Sequence, residues 1–247
     1  MAILIPYNSD DVTDAQTLAG AGPGDAVVSY RLPTVSVIAG AALRLNSGGI
    51  EFGDPPPLRD MPDVAAQLAF LNRHFHHQCG VWAKYARRFV DRYFAFVATE
   101  ISENREALAD RLRPFGTLYE PEHWAFSALR PLPRAHLPTG EGRAGPNGPP
   151  ALTRVEIAFW TAGGPVAIEL VGRGSRLPSD ARRRACLEAG GVEIVEVSHD
   201  TLDSDRPDAF GALLPASFRR FWEDEALPMG PFRTCSAIGS ARVRMPA

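Results

Sequence analysis

From residue 152 to 197 apolar and polar positions follow one another in short, sharply bounded runs. Arg154-Val-Glu-Ile-Ala-Phe-Trp160 and Pro165-Val-Ala-Ile-Glu-Leu-Val171 are apolar, β-branched or aromatic, apart from Arg154 and one acid in each. Between them Ala162-Gly163-Gly164 supplies turn chemistry, so the pair is expected to form an antiparallel β-hairpin spanning Leu152–Trp160 and Pro165–Val171. A basic stretch from Arg173 through Arg176 leads to a predicted helix over Ser179–Glu188, closed by Gly190-Gly191. Val192–Val197 then reads as a strand, parallel to the one before the helix because a helix connects the two.

Upstream the period changes. Val64, Leu68, Leu71 and Phe75 recur at threes and fours, as do Trp82, Tyr85, Phe89, Tyr93, Phe96 and Val97. This predicts two helices separated or kinked at Gly80, with Asp60 or Asp63 capping the first. The aromatic stripe of the second is expected in the core, with a protein-docking face as the alternative. Glu103–Leu112 is expected to be the helix leading to the sheet, with Glu106 a further candidate acid. Residues 1–58 read as β-rich, with strand-like Ala26–Tyr30, Thr34–Ile38 and Ala41–Leu45. The stretch from Tyr119 to Arg134 is expected to hold the first strand of the main sheet, its prolines at an edge. Thr139–Pro150 reads as a loop, Asp200–Asp208 as an acidic turn and Ser217–Glu225 as a short amphipathic helix. The chain thus divides into a β-rich region (1–58), a helical segment (59–113) and an α/β core with a C-terminal helix and tail (114–247).

Composition narrows the classes. With 247 residues, 45% of them hydrophobic, the chain can bury a substantial core, and no run is long enough for a membrane-spanning helix. Its three cysteines are scattered and odd in number, which points to a reducing cytoplasm rather than a disulfide framework. A net charge of −3 argues against general nucleic-acid affinity but leaves room for a local basic stripe. His74-Phe-His-His-Gln-Cys79 is the one metal-like cluster outside the strands, and zinc there would need ligands from elsewhere.

The sharpest chemistry lies in the hairpin. Alternation puts Glu156, Ala158 and Trp160 on one face, and Ala167, Glu169 and Val171 on one face of the next strand. If the register sets Glu156 beside Glu169, the two carboxylates repel unless a cation lies between them or one is protonated. A Mg²⁺ ion would relieve the pair, and so would an arginine such as Arg154, Arg173, Arg176 or Arg183.

Two acid-bearing strands, an arginine-rich helix and a returning strand, over roughly residues 105 to 200, resemble the core of the PD-(D/E)XK nuclease superfamily. The branch most similar is that of very-short-patch-repair-like endonucleases. The resemblance implies a mixed-sheet, restriction-endonuclease-like α/β fold with Glu156 and Glu169 as catalytic acids and Mg²⁺ ligands. In that family a lysine two residues after the second acid helps to activate water; here Val171 stands at that position, and the only lysine of the chain is Lys84. Arg173 or Arg176 would hold phosphate but cannot shuttle a proton. Two functions follow as expectations. One is a Mg²⁺-dependent phosphodiesterase acting on nucleic acid. The other is an inactive descendant of the fold that binds or assembles with a protein through the aromatic helix or the N-terminal sheet.

Overall fold

The computed structural model describes residues 2–6, 34–38, 64–80, 83–138, 152–161, 163–172, 178–204, 207–219, 221–223 and 228. The expected strands Ala26–Tyr30 and Ala41–Leu45, the caps Asp60 and Asp63, Trp82, the loop at Thr139–Pro150, Arg173 and Arg176 lie outside the described residues.

Near the N-terminus β1 (Ala2–Pro6) pairs antiparallel with β2 (Thr34–Ile38), opposing Ala2 to Ile38 and Pro6 to Thr34. The helical pattern resolves as α1 (Val64–Cys79), α2 (Lys84–Glu103) and α3 (Arg105–Leu112). Gly80 ends α1 with φ +89°, a left-handed conformation that suits a residue without a Cβ. The carbonyls at this helix end are then covered by two arginines. Arg134 Nε donates to Gln78 O at 3.0 Å and Arg87 Nη2 to Gly80 O at 2.7 Å, so positive charge sits where the helix dipole is negative.

The main sheet has the order β3 (Leu132–Pro133), β6 (Ile157–Thr161), β7 (Gly164–Val171), β8 (Glu193–Ser198). The first three are antiparallel, and β8 returns parallel to β7 after α4 (Pro178–Ala189). The architecture is therefore mixed α/β around a mixed four-stranded sheet. A side ladder joins β4 (His136–Pro138) to β5 (Leu152–Arg154).

One face of the sheet packs Ile157, Phe159, Val166, Ile168, Val195 and Val197 against α1, α2 and the C-terminal turns. Phe159 lies at its centre, 5.0 Å from the Tyr93 ring and 4.7 Å from that of Phe218. The aromatic stripe of α2 (Phe89, Tyr93, Phe96) is thereby spent inside the chain's own core, so the partner-docking alternative for that face does not hold. The opposite face carries a smaller cluster in which Ala158, Trp160 and Ala167 meet Leu187 of α4.

Three expectations need correction. Leu152–Trp160 is not one strand: Val155 and Glu156 interrupt it, and Glu156 lies in a bend rather than inside a strand. The stretch Tyr119–Arg134 does hold the first strand, Leu132–Pro133 at the edge of the sheet, and before it Pro121–Ser127 forms a buried 3₁₀ turn. Pro121 sets a helical φ, and His123 N donates back to Glu120 O, so a local turn prevails over the strand-like composition. The acidic segment after Ser198 is helical, as α5 (His199–Asp203) followed by α6 (Pro207–Leu213). Ser198 caps α5 by accepting from Thr201 N at 3.0 Å. Finally, the expected helix at 217–225 is a 3₁₀ turn, Ala216–Phe218, and a further turn, because Phe218, Phe221 and Trp222 all fold into the core.

The position of Phe159 generates a stability prediction. Phe159→Ala should destabilise the chain by about 3–5 kcal/mol, read as a lower urea midpoint at unchanged slope. A change under about 1 kcal/mol would mean that the aromatic cluster does not hold sheet to helices.

Candidate functional site

The β6–β7 ladder opposes Ile157 to Ile168, and continuing that register by one residue sets Glu156 opposite Glu169. On the other side Glu169 pairs with Glu196 of β8. Residues in register share a face, so Glu169 and Glu196 form a row on the side that carries α4, with Glu156 in the bend just before β6. Such a row is costly without positive charge between its members.

Successive residues of α4 supply that charge. Arg183 Nη2 donates to Glu169 Oε1 at 3.0 Å, and Arg184 Nη2 donates to Glu169 Oε2 at 2.6 Å. Arg184 also pairs with Glu196. Only 11% of the Glu169 side chain is exposed, and both its oxygens are engaged. The hydrogen bond to Glu169, followed by that to Glu196, raises the pKa of Arg184.

Glu156 differs. Its carboxylate has no hydrogen bond or ion pair among the described residues; only its backbone O is bonded, to Arg134 N at 2.7 Å. The residue is exposed to solvent, yet the atoms crowded around its carboxyl desolvate it enough to raise its pKa. Arg183 and Arg154 lower that pKa through space, and Glu169 raises it again. The carboxyl is thereby biased towards its protonated form.

The bend that presents Glu156 has a definite origin. Pro133 opposes Ile157 and His136 opposes Arg154, so one register runs through both ladders. At the interruption Arg134 adopts φ +50°, uncommon for a side-chain-bearing residue, while Val155 N still donates to Ala135 O at 2.8 Å. The arm is bent without slipping, and Glu156 lies in the bend with its backbone O still bonded to Arg134 N.

Glu156 and Glu169 line one cavity of about 630 Å³ at the C-terminal end of β7. Arg183 and Arg184 form part of its wall, and so do Lys84 and Tyr85 from α2, Gly172, and His199 from α5. Tyr85 and His199 stack with centroids 3.4 Å apart and planes 6° apart, and the Lys84 ammonium lies 5.0 Å from the Tyr85 centroid. A Cβ on Gly172 would come within 3.2 Å of the His199 ring, so glycine permits this close approach. Val171, at the position of the family lysine, belongs to the same wall. Glu106 is exposed on α3 and does not line the cavity.

Sequence reasoning named both acids of the cavity wall and an arginine partner from α4, Arg183. It missed Glu196, Arg184 as a ligand of the acids, and the column of Lys84, Tyr85 and His199. The only signal for the last group was the chain's single lysine.

Mg²⁺ takes oxygen ligands in near-octahedral geometry. Here both oxygens of Glu169 already accept from guanidinium groups. Among the described residues no three His, Cys, Asp or Glu groups gather as a metal site. The donor set as folded fits arginine and does not fit a divalent cation.

The histidine cluster of α1 is divided between local partners. His74 bonds Gln78 at 2.9 Å, and burial, followed by Arg130 and His77, lowers its pKa to about 4. His76 faces outward to Asp91 at 2.8 Å. Burial pushes the Cys79 thiol up to about 12.

No family model matches the chain, nor does any curated protein or solved structure.

Two stability predictions follow. Glu169→Gln should cost about 1–3 kcal/mol in urea unfolding, because it breaks a charged hydrogen-bond pair and leaves two guanidinium groups facing each other. A neutral effect would mean that the arginine clamp contributes nothing. Glu156→Gln should act oppositely. A raised folded-state pKa favours folding below the ordinary value of 4.5 and loses that contribution as pH rises through the folded pKa. The variant should therefore melt higher than the parent at pH 7, by no more than about 2 °C because water still screens the carboxyl, and should lose the advantage near pH 4. Thermal melts at both pH values check the sign.

Proposed function

We propose that this chain is a non-hydrolysing descendant of a PD-(D/E)XK-like nuclease core that acts as a binding or assembly module. The observation that carries the reading is the clamp on Glu169: Arg183 and Arg184 occupy the two oxygens that a metal ion would require. The order of the sheet supports the descent, with three antiparallel strands, a helix and a parallel fourth strand, one acid at the entry to β6 and another on β7. Fold alone does not carry activity, so the reading rests on the clamped acid. With the α2 stripe buried, the cavity at the end of β7 is the binding surface this reading uses. The paired strands β1 and β2 remain a candidate for protein contact.

A second reading, a Mg²⁺-dependent phosphodiesterase, is favoured by one observation. Lys84, the only lysine of the chain, lines the same cavity as Glu156 and Glu169 although it stands far from them in sequence. It would take the role left empty at Val171, once a metal bound at the acids had displaced the arginines.

Incubation of labelled single- and double-stranded DNA and RNA with the protein and Mg²⁺ or Mn²⁺ separates the two. The expected result is intact substrate at micromolar protein and no metal-induced rise in melting temperature. Cleavage that vanishes with EDTA, falls sharply in Glu156→Ala and Glu169→Ala, and drops about 10²–10⁴-fold in Lys84→Ala would establish the second reading and overturn the first.

A further inference from the structure

Two parts of the cavity wall come from segments that share no ladder. One is the start of α2, with Ala83, Lys84 and Tyr85; the other is the bend at Val155 and Glu156. At the β7 end of the cavity, α2 is fastened by the stack of Tyr85 on His199, whose ring lies against Gly172. The bend is fastened differently. Regular pairing skips Val155 and Glu156, and two hydrogen bonds hold them to the opposing arm: Arg134 N donates to Glu156 O at 2.7 Å, and Val155 N donates to Ala135 O at 2.8 Å.

Arg134 makes its bond from φ +50°, a conformation that a residue with a Cβ keeps only where its surroundings enforce it. Its own guanidinium supplies the enforcement. Arg134 Nε donates to Gln78 O at 3.0 Å, and a Cβ built on Gly80 would lie 3.9 Å from Arg134 Nη1. Gly80 O in turn accepts from Arg87 Nη2 of α2 at 2.7 Å and from Ala83 N at 3.5 Å. The last carbonyls of α1 therefore join Arg134 to the start of α2, and hydrogen bonds lead from Glu156 through Arg134 and the end of α1 to the residues beside Lys84. Arg134, Gln78, Gly80 and Arg87 do not themselves line the cavity.

A cationic side chain on helix carbonyls is an ordinary C-terminal cap. Capping does not require a left-handed backbone at the residue that supplies it, because a long side chain reaches the carbonyl from a relaxed one. Here the anchor, the strained backbone and the N–H held on Glu156 O belong to one residue. We propose that Arg134 is a positioning residue for the cavity: anchored on the end of α1, it holds the bend and so sets where Glu156 stands relative to Lys84. One wall of the cavity is then governed from outside its lining. The assignment is independent of whether the cavity binds or cleaves its ligand.

The chain's only lysine provides the probe. Reductive methylation with ¹³C-formaldehyde yields one lysine methyl signal, which Lys84→Arg removes and so tells apart from that of the N-terminal amine. Glu156→Gln marks the direction in which this signal moves when the carboxylate is lost. Arg134→Ala should move it the same way, and should speed amide exchange at Val155 by about tenfold or more while the amides of β7 stay as in the parent. Arg134→Lys keeps the charge and a donor long enough for Gln78 O, and should restore most of both readings. Arg87→Ala removes the neighbouring cap and should leave Val155 as protected as in the parent. Should Arg134→Ala not fold, Arg134→Met, which keeps the stem and loses the donor, gives the same readings. A parent-like Lys84 signal or parent-like exchange at Val155 in these variants would overturn the proposal. So would equal acceleration at Val155 in Arg87→Ala, which reduces Arg134 to a helix cap, or a uniform rise across β7, which reduces it to a contribution to global stability.

Discussion

Three carboxylates gathered at one side of the sheet are the constraint on which the α/β core depends. Glu169 and Glu196 occupy adjacent strand positions on one face, where strand spacing brings like charges close, and Glu156 stands in the bend just before β6. Something must neutralise them, and the fold does so in two ways. Arg183 and Arg184 meet Glu169, and Arg184 continues to Glu196, so α4 is tied to β7 and β8 by charge as well as by the apolar contacts of Leu187. Glu156, which the arginines reach only through space, is relieved by a bias towards protonation. The two solutions give neighbouring acids different surroundings: Glu169 is held inside an ion-pair network, and Glu156 faces the cavity without an ion pair among the described residues.

The second device is the kink that separates them. Were the arm from Leu152 to Thr161 a continuous strand, Glu156 would stand beside Glu169 within the ladder. Arg134 and Glu156 instead break the pairing at opposing positions while the register continues on both sides. A positive φ at a residue with a side chain costs on the order of 1 kcal/mol or more, and it persists only where surroundings enforce it. Here the enforcement is visible: Arg134 N is bonded to Glu156 O, and its guanidinium is anchored on the last turn of α1. The helical segment and the acid row are thus coupled through one residue, since whatever moves the end of α1 also moves the bend that carries Glu156.

How much of this was legible in the sequence depended on the range of the interaction. The β6–β7 hairpin, the crossover through α4, the parallel return of β8 and the two helices split at Gly80 are all set by local periodicity and turn residues, and they follow from the pattern. The 3₁₀ turn at Pro121–Ser127 and the turns around Phe218 do not, because there tertiary burial of Trp124, Phe126, Phe221 and Trp222 outweighs local pattern. The helix α5 was in fact signalled by Ser198 as an N-cap with Asp200 in the first turn, but the acidic composition that follows masked it. Within the site, the acids stood out because charges are rare in apolar strands. Glu196 did not, since only the parallel register brings it beside Glu169, and that register is fixed by the length of the crossover rather than by any motif. Lys84 and His199 lie more than a hundred residues apart and meet only because α2 crosses the end of β7.

The absence of a lysine at residue 171 then has a physical context. Val171 lies two residues after Glu169 on the same strand face, the side from which Arg183 and Arg184 approach. A lysine there would add a third cation to a cluster in which Glu169 and Glu196 are already paired with two guanidinium groups. The charge that such a lysine would supply is delivered by α4 instead, and in a form that differs in kind. Guanidinium groups stay protonated and hold both carboxylate oxygens in a fixed geometry, whereas an ammonium can give up a proton and leave oxygens free. Replacing one by the other converts a place where protons and metal ions exchange into a rigid ion-pair lattice.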